Sequence, residues 1–189
     1  MIYRHANIED IPAILALQKK YHVNSISEED KPDGFVTTLF TEEQFKRLIE
    51  EEDGISLAVD EEAGDKIVAY AMAASWEYWS AWPLFQYMIE DLPNTTYCGE
   101  QMSVENSYQY GPVAIAKEYR GQGIVEHLFF YSLQSMADRY KYMLTFINQI
   151  NPRSYAAHHR KIGCDVVKTF EFNNNQYWEL GMPTAAEPK

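Results

Sequence analysis

The sequence predicts a one-domain α/β protein, and three observations carry that reading. The 189 residues suffice for one full core and are short for two. Stretches that alternate apolar and polar residues, or run apolar for a few residues, take turns with stretches of helical period. Near the middle, over Tyr110 to His127, a short apolar run passes through a glycine turn into a helical pattern. A content of 46% hydrophobic and 23% charged residues is that of an ordinary globular protein.

The elements follow in order. Met1–His5 reads as a first strand. Asn7 can cap a helix from Ile8, with Glu9 and Asp10 at the positive end of its dipole and Pro12 in its early part. Ile11, Ile14 and Leu15 are its expected core face, and it fades near Tyr21. Residues 22–40 read as a loop with a turn signal at Lys31-Pro32-Asp33-Gly34 and an apolar end at Phe35, Val36, Leu39 and Phe40. Thr41-Glu42-Glu43-Gln44 has capping-box spacing and opens a second helix, Phe45, Leu48 and Ile49 inward. Ile55, Leu57 and Val59 alternate, an acidic turn with Gly64 follows, and Ile67–Ala74 runs back as the second strand of a hairpin.

Trp76 to Asp91 concentrates three of the four tryptophans with Tyr78, Phe85 and Tyr87, and Pro83 must start a helix there or break one. The stripe reads as core, as a homodimer contact, or as an aromatic wall for a cationic ligand. Val113, Ala114 and Ile115 form the central apolar run. Past Gly123, Ile124, Leu128 and Tyr131 make one helical row and Val125, Phe129 and Leu133 its neighbour. Tyr142–Ile150 is a buried strand, Asn151-Pro152 starts a helix that ends at Gly163, and Cys164–Phe172 with Gln176–Leu180 form a last hairpin. A domain over residues 1–182 is expected, with 183–189 as a flexible tail.

Composition excludes several classes. No run of about 18 apolar residues offers a membrane span, and no basic stripe offers a nucleic-acid surface. The charged N-terminus and the two scattered cysteines, Cys98 and Cys164, lead us to expect a cytoplasmic protein. No metal-ligand spacing is present. The net charge of −12 is uneven: residues 1–105 hold 21 acidic and 7 basic residues, residues 106–189 hold 7 and 9. The acidic part suits a cationic partner, and the other part tolerates an anion.

A strand feeding Arg120-Gly121-Gln122-Gly123 at a helix N-terminus is suited to an anion, because unpaired amides and the helix dipole both favour negative charge. It is not a P-loop, which needs Gly-Lys-Ser/Thr. The dinucleotide fingerprint would need glycine where Glu126 stands. The turn resembles the Gln/Arg-x-x-Gly-x-Gly/Ala motif of the GNAT superfamily of N-acetyltransferases at Arg120, Gly121, Gln122, Gly123 and Ile124, with Val125 where Gly or Ala is usual. Asn151-x-x-Ser154, Ala157-His158 and Ile162-Gly163 resemble the family's second conserved block.

The resemblance implies the acyl-CoA N-acyltransferase fold, a mixed central sheet flanked by helices, and acetyl-CoA as cosubstrate. It implies the pyrophosphate on Arg120 to Val125, with Lys117 and Arg120 as cationic partners. The pantetheine arm would lie along Val113, Ala114 and Ile115, with polar contacts from Asn151 and Ser154. The family's general acid is a tyrosine in the second block. Counting from Ser154 gives His158 and counting back from Gly163 gives His159, so the block is one residue longer than usual. His158 is preferred, with Tyr155 second. Gln109 stands where many members keep a glutamate base, and Glu105 is the nearest carboxylate upstream. The resemblance places the apolar end of the 22–40 loop, with Phe35, and the segment with Trp76 and Trp79, at the acceptor end. The expected activity is acetyl transfer to a primary amine of a small cationic or aromatic acceptor. A non-enzymatic acyl-CoA-binding or sensor module, and an acetyltransferase for protein N-termini or lysines, are the alternatives.

Overall fold

The computed structural model describes residues 1–33 and 35–189; Gly34, last of the expected Lys31–Gly34 turn, lies outside the described residues. The chain divides into two compact units, Met1–Ala73 with Gly111–Ser132, and Ala74–Tyr110 with Leu133–Lys189.

The first unit begins with β1 (Ile2–His5) and a 3-10 turn, Ile8–Asp10, that leads into α1 (Ile11–Lys20). The turn is a capping box: Asn7 Oδ1 accepts from Glu9 N–H at 3.0 Å, and Asp10 accepts from Asn7 N–H at 2.8 Å. Arg4 grips the same carboxylate with two nitrogens, at 2.7 and 2.8 Å, and holds the Asp10 carboxyl below its ordinary range. Ile11, Ile14 and Leu17 bury the apolar face, while Leu15 is only half-buried. Gln18 takes the remaining core position because both ends of its amide are satisfied by the Phe40 backbone, at 2.9 Å each. That pair fixes the end of the long loop where α2 (Glu42–Glu52) starts from the Thr41/Gln44 capping box. β2 (Ile55–Asp60) then pairs antiparallel with β1 and with β3 (Lys66–Ala74). Five of the six β2 residues are buried, so this strand is covered on both faces.

The second unit opens with the aromatic segment, which forms α3 (Trp76–Trp79) and α4 (Pro83–Asp91), with Pro83 starting the second helix. A small hairpin, β4 (Thr96–Tyr97) and β5 (Glu100–Gln101), follows, absent from our sequence reading. Its signal is Cys98-Gly99, both left-handed, at φ 52° and 74°. β6 (Ser107–Ile115) is longer than the apolar run suggested, because Ser107 and Gln109 are buried polar residues whose bonds are made inside the protein. β6 contributes to both units and lies beside β3 in the first, where Ala116 N–H donates to Val68 O at 2.8 Å. α5 (Ile124–Ser135) follows it. In the second unit β6 pairs parallel with β7 (Tyr142–Asn148). Next come α6 (Pro152–Tyr155), continued by π-helical turns over Ala156–Ile162, then β8 (Asp165–Phe172) and β9 (Asn175–Pro183). The strand order is β1-β2-β3-β6 in the first unit and β6-β7-β9-β8 in the second, a mixed sheet flanked by helices.

Two expectations change. Pro183 is registered opposite Tyr142, and Thr184 is buried with its hydroxyl donating to Tyr140 O at 2.7 Å, so backbone pairing holds the chain beyond residue 182. Trp76 and Trp79 are 1% and 0% exposed. The Trp76 indole N–H donates to Ser107 Oγ at 3.0 Å and that of Trp79 to Gln109 O at 3.3 Å. The Trp79 ring stacks on Phe85, which meets Phe146, which meets Tyr177, at centroid separations of 4.8, 5.5 and 5.6 Å. These indoles form the core of the second unit and leave no exposed acceptor wall. Truncation should therefore read as lost packing: Trp79→Ala should cost about 3–5 kcal/mol in urea denaturation. A loss below about 1 kcal/mol would contradict the packing described.

Candidate functional site

The anion turn belongs to the first unit. β6 ends in a 3-10 turn, Lys117–Tyr119, and the chain reaches α5 through Arg120 to Gly123. Gly121 and Gly123 have φ of +76° and +79°, a backbone conformation that side chains resist. An added Cβ at Gly121 would meet nothing within 4 Å, so conformation demands the glycine and the space beyond the turn is open. The first amides of α5 face out of the helix end by its geometry. His127 braces the turn: its N–H and its Nδ1–H both donate to the Gly123 carbonyl, at 3.2 and 2.8 Å, while its ring stacks on Tyr3 at 5.6 Å. Ile124 is buried, Val125 half-buried, and Gln122 is exposed with its amide donating to Glu118 O at 3.1 Å.

The two cations beside the turn are held by protein groups. Arg120 Nε donates to Ile115 O at 3.1 Å, and its guanidinium lies 5.1 Å from the centroid of the Tyr21 ring. Tyr21 Oη in turn accepts from Lys117 N–H at 2.7 Å. Lys117 Nζ pairs with Asp30 at 2.5 Å, which lowers the Asp30 carboxyl's pKa. Arg120 thus braces the strand end. Tyr21, seen in the sequence only as a helix end, is the post on which that brace rests. Val113 and Ile115 are half-buried and Ala114 buried, following Pro112, which has no N–H to donate. Phe35 is half-buried.

The second unit carries the other candidates. Asn151 caps α6 by accepting from Ser154 N–H at 3.2 Å. His158 is 7% exposed, its ring 6.1 Å from that of Tyr110. Its Nδ1 lies 2.8 Å from Ser154 O and 3.4 Å from Ser154 Oγ. A carbonyl only accepts, so Nδ1 carries the proton and a neutral His158 has its lone pair on Nε2. His159 sits with Nδ1 2.7 Å from Cys164 O and stacks on Tyr155, whose other contact is Trp178 at 4.1 Å. The π-helical turns explain why counts from the two ends of this block disagree by one. A π segment takes in a residue that α winding would exclude, and Gly163 N–H reaches back to His158 O, five residues away, at 3.1 Å.

β6 and β7 are registered only from Ser107–Tyr142 to Gln109–Leu144, although both strands continue. Beyond that point side chains replace the ladder: Thr145 Oγ1 and Gln109 Nε2 both donate to Tyr110 O, at 2.7 and 2.6 Å. Gln109 Oε1 is left buried with no hydrogen-bond partner among the described residues. Glu105, the nearest upstream carboxylate, lies apart from Gln109. It is exposed in the turn ahead of β6, about 13 Å of extended chain short of Gln109.

A different carboxylate, overlooked in the sequence, stands out. Glu179 on β9 is 3% exposed, and burial pushes its carboxyl up to about 7, partly offset by Lys168. Its sequence signal was slight: one charge inside the alternating strand Gln176–Leu180. Cys164 is buried and its thiol is pushed up to about 12, so it stays protonated at neutral pH. Among the described residues no cluster of three His, Cys, Asp or Glu side chains could hold a metal ion, and no helix is long and apolar enough to cross a membrane.

A strand, a left-handed glycine turn and an open helix N-terminus define an α/β protein with a backbone turn suited to an anion. The model of the acetyltransferase (GNAT) family matches residues 20–164, and the chain belongs to that family. No curated protein matches it. Among solved structures it is similar to yncA of Salmonella typhimurium, determined with its cofactor acetyl-CoA, at 12% identity and a TM-score of 0.63 over 100% of this chain and 96% of that one. A ribosomal-protein-alanine N-acetyltransferase from Brucella melitensis gives 19% and 0.62 over 97% and 99%. The smu.2055 protein of Streptococcus mutans UA159 gives 17% and 0.63, again over 97% and 99%. At these identities the likeness is one of fold.

Two outcomes follow from the second unit. His158→Phe should lower turnover roughly 100-fold, the low end for proton transfer because a thiolate leaves readily, with little change in acetyl-CoA affinity. His159→Phe should change little, and steady-state kinetics that reversed the pair would make His159 the donor. Glu179 titrates higher folded than unfolded, so its stability contribution is full below pH 4.5 and is lost as pH rises to about 7. Glu179→Gln should then gain about 3 kcal/mol on wild type between pH 4.5 and 8, read by urea denaturation. A constant difference across that range would contradict the raised carboxyl.

Proposed function

We propose that the chain is an acetyl-CoA-dependent N-acetyltransferase, moving acetyl to the primary amine of a small cationic or aromatic acceptor by direct attack in a ternary complex. The observation that carries the reading is the turn with left-handed Gly121 and Gly123 at the start of α5, in a chain of this family. The residues fit the cosubstrate: no side chain lies where a Cβ on Gly121 would point, and Arg120 is tied back to Ile115 O. The amides of Gly121 to Val125 would hold the pyrophosphate, with Asn151 and Ser154 as further polar contacts. The main chain of Val113 to Ile115 would hold the pantetheine arm and polarise the carbonyl. Acetyl-CoA supplies the acetyl thioester.

Of the chain's own residues, His158 as imidazolium is the proposed donor to the departing sulfur, with Tyr155 as the neighbouring alternative. The acceptor class rests on charge. Residues 1–105 carry a balance of −14, which raises the local concentration of a cation, and the attacking nitrogen must be neutral, so a second positive group is what the field attracts. The free cysteines Cys98 and Cys164 support a reducing, cytoplasmic setting.

The test is Gly123→Asp. Aspartate enters the left-handed region more readily than most side chains, and its charge sits where the phosphate would lie. Calorimetry should find acetyl-CoA binding abolished, and undiminished affinity in a folded variant would overturn the reading. With wild type, diamines should outrun neutral and acidic amines of equal size, and their KM should rise with salt.

A further inference from the structure

The acceptor ammonium must lose a proton before it attacks, and the position where many family members keep a glutamate is Gln109. In the second unit, Gln109 on β6 is level with Leu144 on β7, which is level with Gly181 on β9. Two residues along, Phe146 stands opposite Glu179, and Glu179 opposite Lys168 on β8. Side chains two apart on a strand share a face, so Gln109, Phe146 and Glu179 rise from the same side of the sheet. That side is roofed by α4, whose Phe85 ring meets Phe146 at 5.5 Å. Two strand spacings and two residues separate the Cα atoms of Gln109 and Glu179 by about 12 Å. The Gln109 side chain cannot turn freely, because its Nε2 is committed to Tyr110 O, and this leaves Oε1 as a buried acceptor aimed into the layer.

We propose that Glu179 is the proton acceptor of the acetyl transfer, reached through water held at Gln109 Oε1. The proposal rests on the acetyltransferase reading. The charged and titratable groups facing Glu179 are Lys168 from β8, Asp91 from the end of α4, and Tyr177 on its own strand; β7 presents only the Phe146 ring. Lys168 is paired with Asp91, so its cation does not neutralise Glu179 outright. Burial leaves the Glu179 carboxyl at about 7, where it can both take and release a proton near neutrality. The protons balance. The ammonium gives one to the Glu179 carboxylate, leaving a neutral amine and a carboxylic acid. The amine's lone pair forms the C–N bond as the C–S bond breaks. The nitrogen's surplus proton leaves as the thiolate is protonated, and Glu179 returns its proton to solvent.

The experiment is the pH profile of kcat/KM and kcat for wild type, Glu179→Gln and the double variant Gln109→Glu/Glu179→Gln, with acetyl-CoA and a diamine. Thermal melts accompany each to show folding. Wild type should show a limb rising through about pH 7. Glu179→Gln should lose that limb and about 100-fold in kcat with KM nearly kept, and Gln109→Glu should restore at least a tenth of the rate by putting the carboxylate on β6. A purely structural role for Glu179 would move the melts and leave the pH limb alone, which would overturn the proposal. So would a folded Glu179→Gln with full activity, or a double variant without recovery. A wild type that releases no thiol with any amine would overturn the acetyltransferase reading, and this proposal with it.

Discussion

The carbonyl of Tyr110 marks the point at which β6 leaves its ladder with β7. On one side of it β6 is a regular ladder partner of β7; on the other the strand belongs to the first unit and leads to the anion turn. A buried carbonyl deprived of its ladder donor would cost on the order of 1–3 kcal/mol. Thr145 and Gln109 remove that cost by donating from side chains. Trp79 donates to the carbonyl one residue earlier. These three side chains give the Gln109 and Tyr110 carbonyls donors where β6 leaves its ladder with β7. Burial of Trp79 thus goes together with its hydrogen bond to the β6 backbone.

A parallel logic governs the turn that β6 feeds. A helix start that is to receive an anion must keep its amides open, so its rigidity has to come from elsewhere. Here it comes from carbonyls: Gly123 O holds His127 twice, and Ile115 O holds Arg120, which rests on Tyr21. The positive charges nearest the turn are thus spent on bracing or, for Lys117, on Asp30 of the long loop. What the turn offers an anion is therefore mainly backbone dipoles.

Much of the fold was legible in the sequence because its signals are local. Asn7 and Thr41 cap where their spacing says, and Pro83 starts the helix it was bound to start or break. The glycine turn was legible for the same reason, since a left-handed residue in a short connection announces itself. What was not legible depends on partners far along the chain. Ser107 and Gln109 disguise β6 as polar, and their bonds with Ser103 O, Trp76 and Tyr110 O are what permit their burial. Trp76 and Trp79 read as core, dimer contact or ligand wall, because nothing local tells an indole that donates to a strand from one that faces solvent. Glu179 looked like the solvent-facing half of an alternation until Phe146 and α4 were seen to cover it. Glu105 drew notice by nearness in sequence, which a strand converts into distance.

The π-helical turns after α6 have a consequence for how this block can change. Such a segment is an α-helix carrying one residue in excess, and its two ends are fixed independently, by Asn151 at one and by Gly163 at the other. Insertion or loss of a residue between those ends alters the winding and leaves the flanking strands where they are. Each such event turns the middle of the segment by roughly a quarter of a circle, about 100° per residue. It would exchange which of two adjacent imidazoles sits beside Tyr110. Helix winding, as much as side-chain identity, thus sets which ring is the buried one.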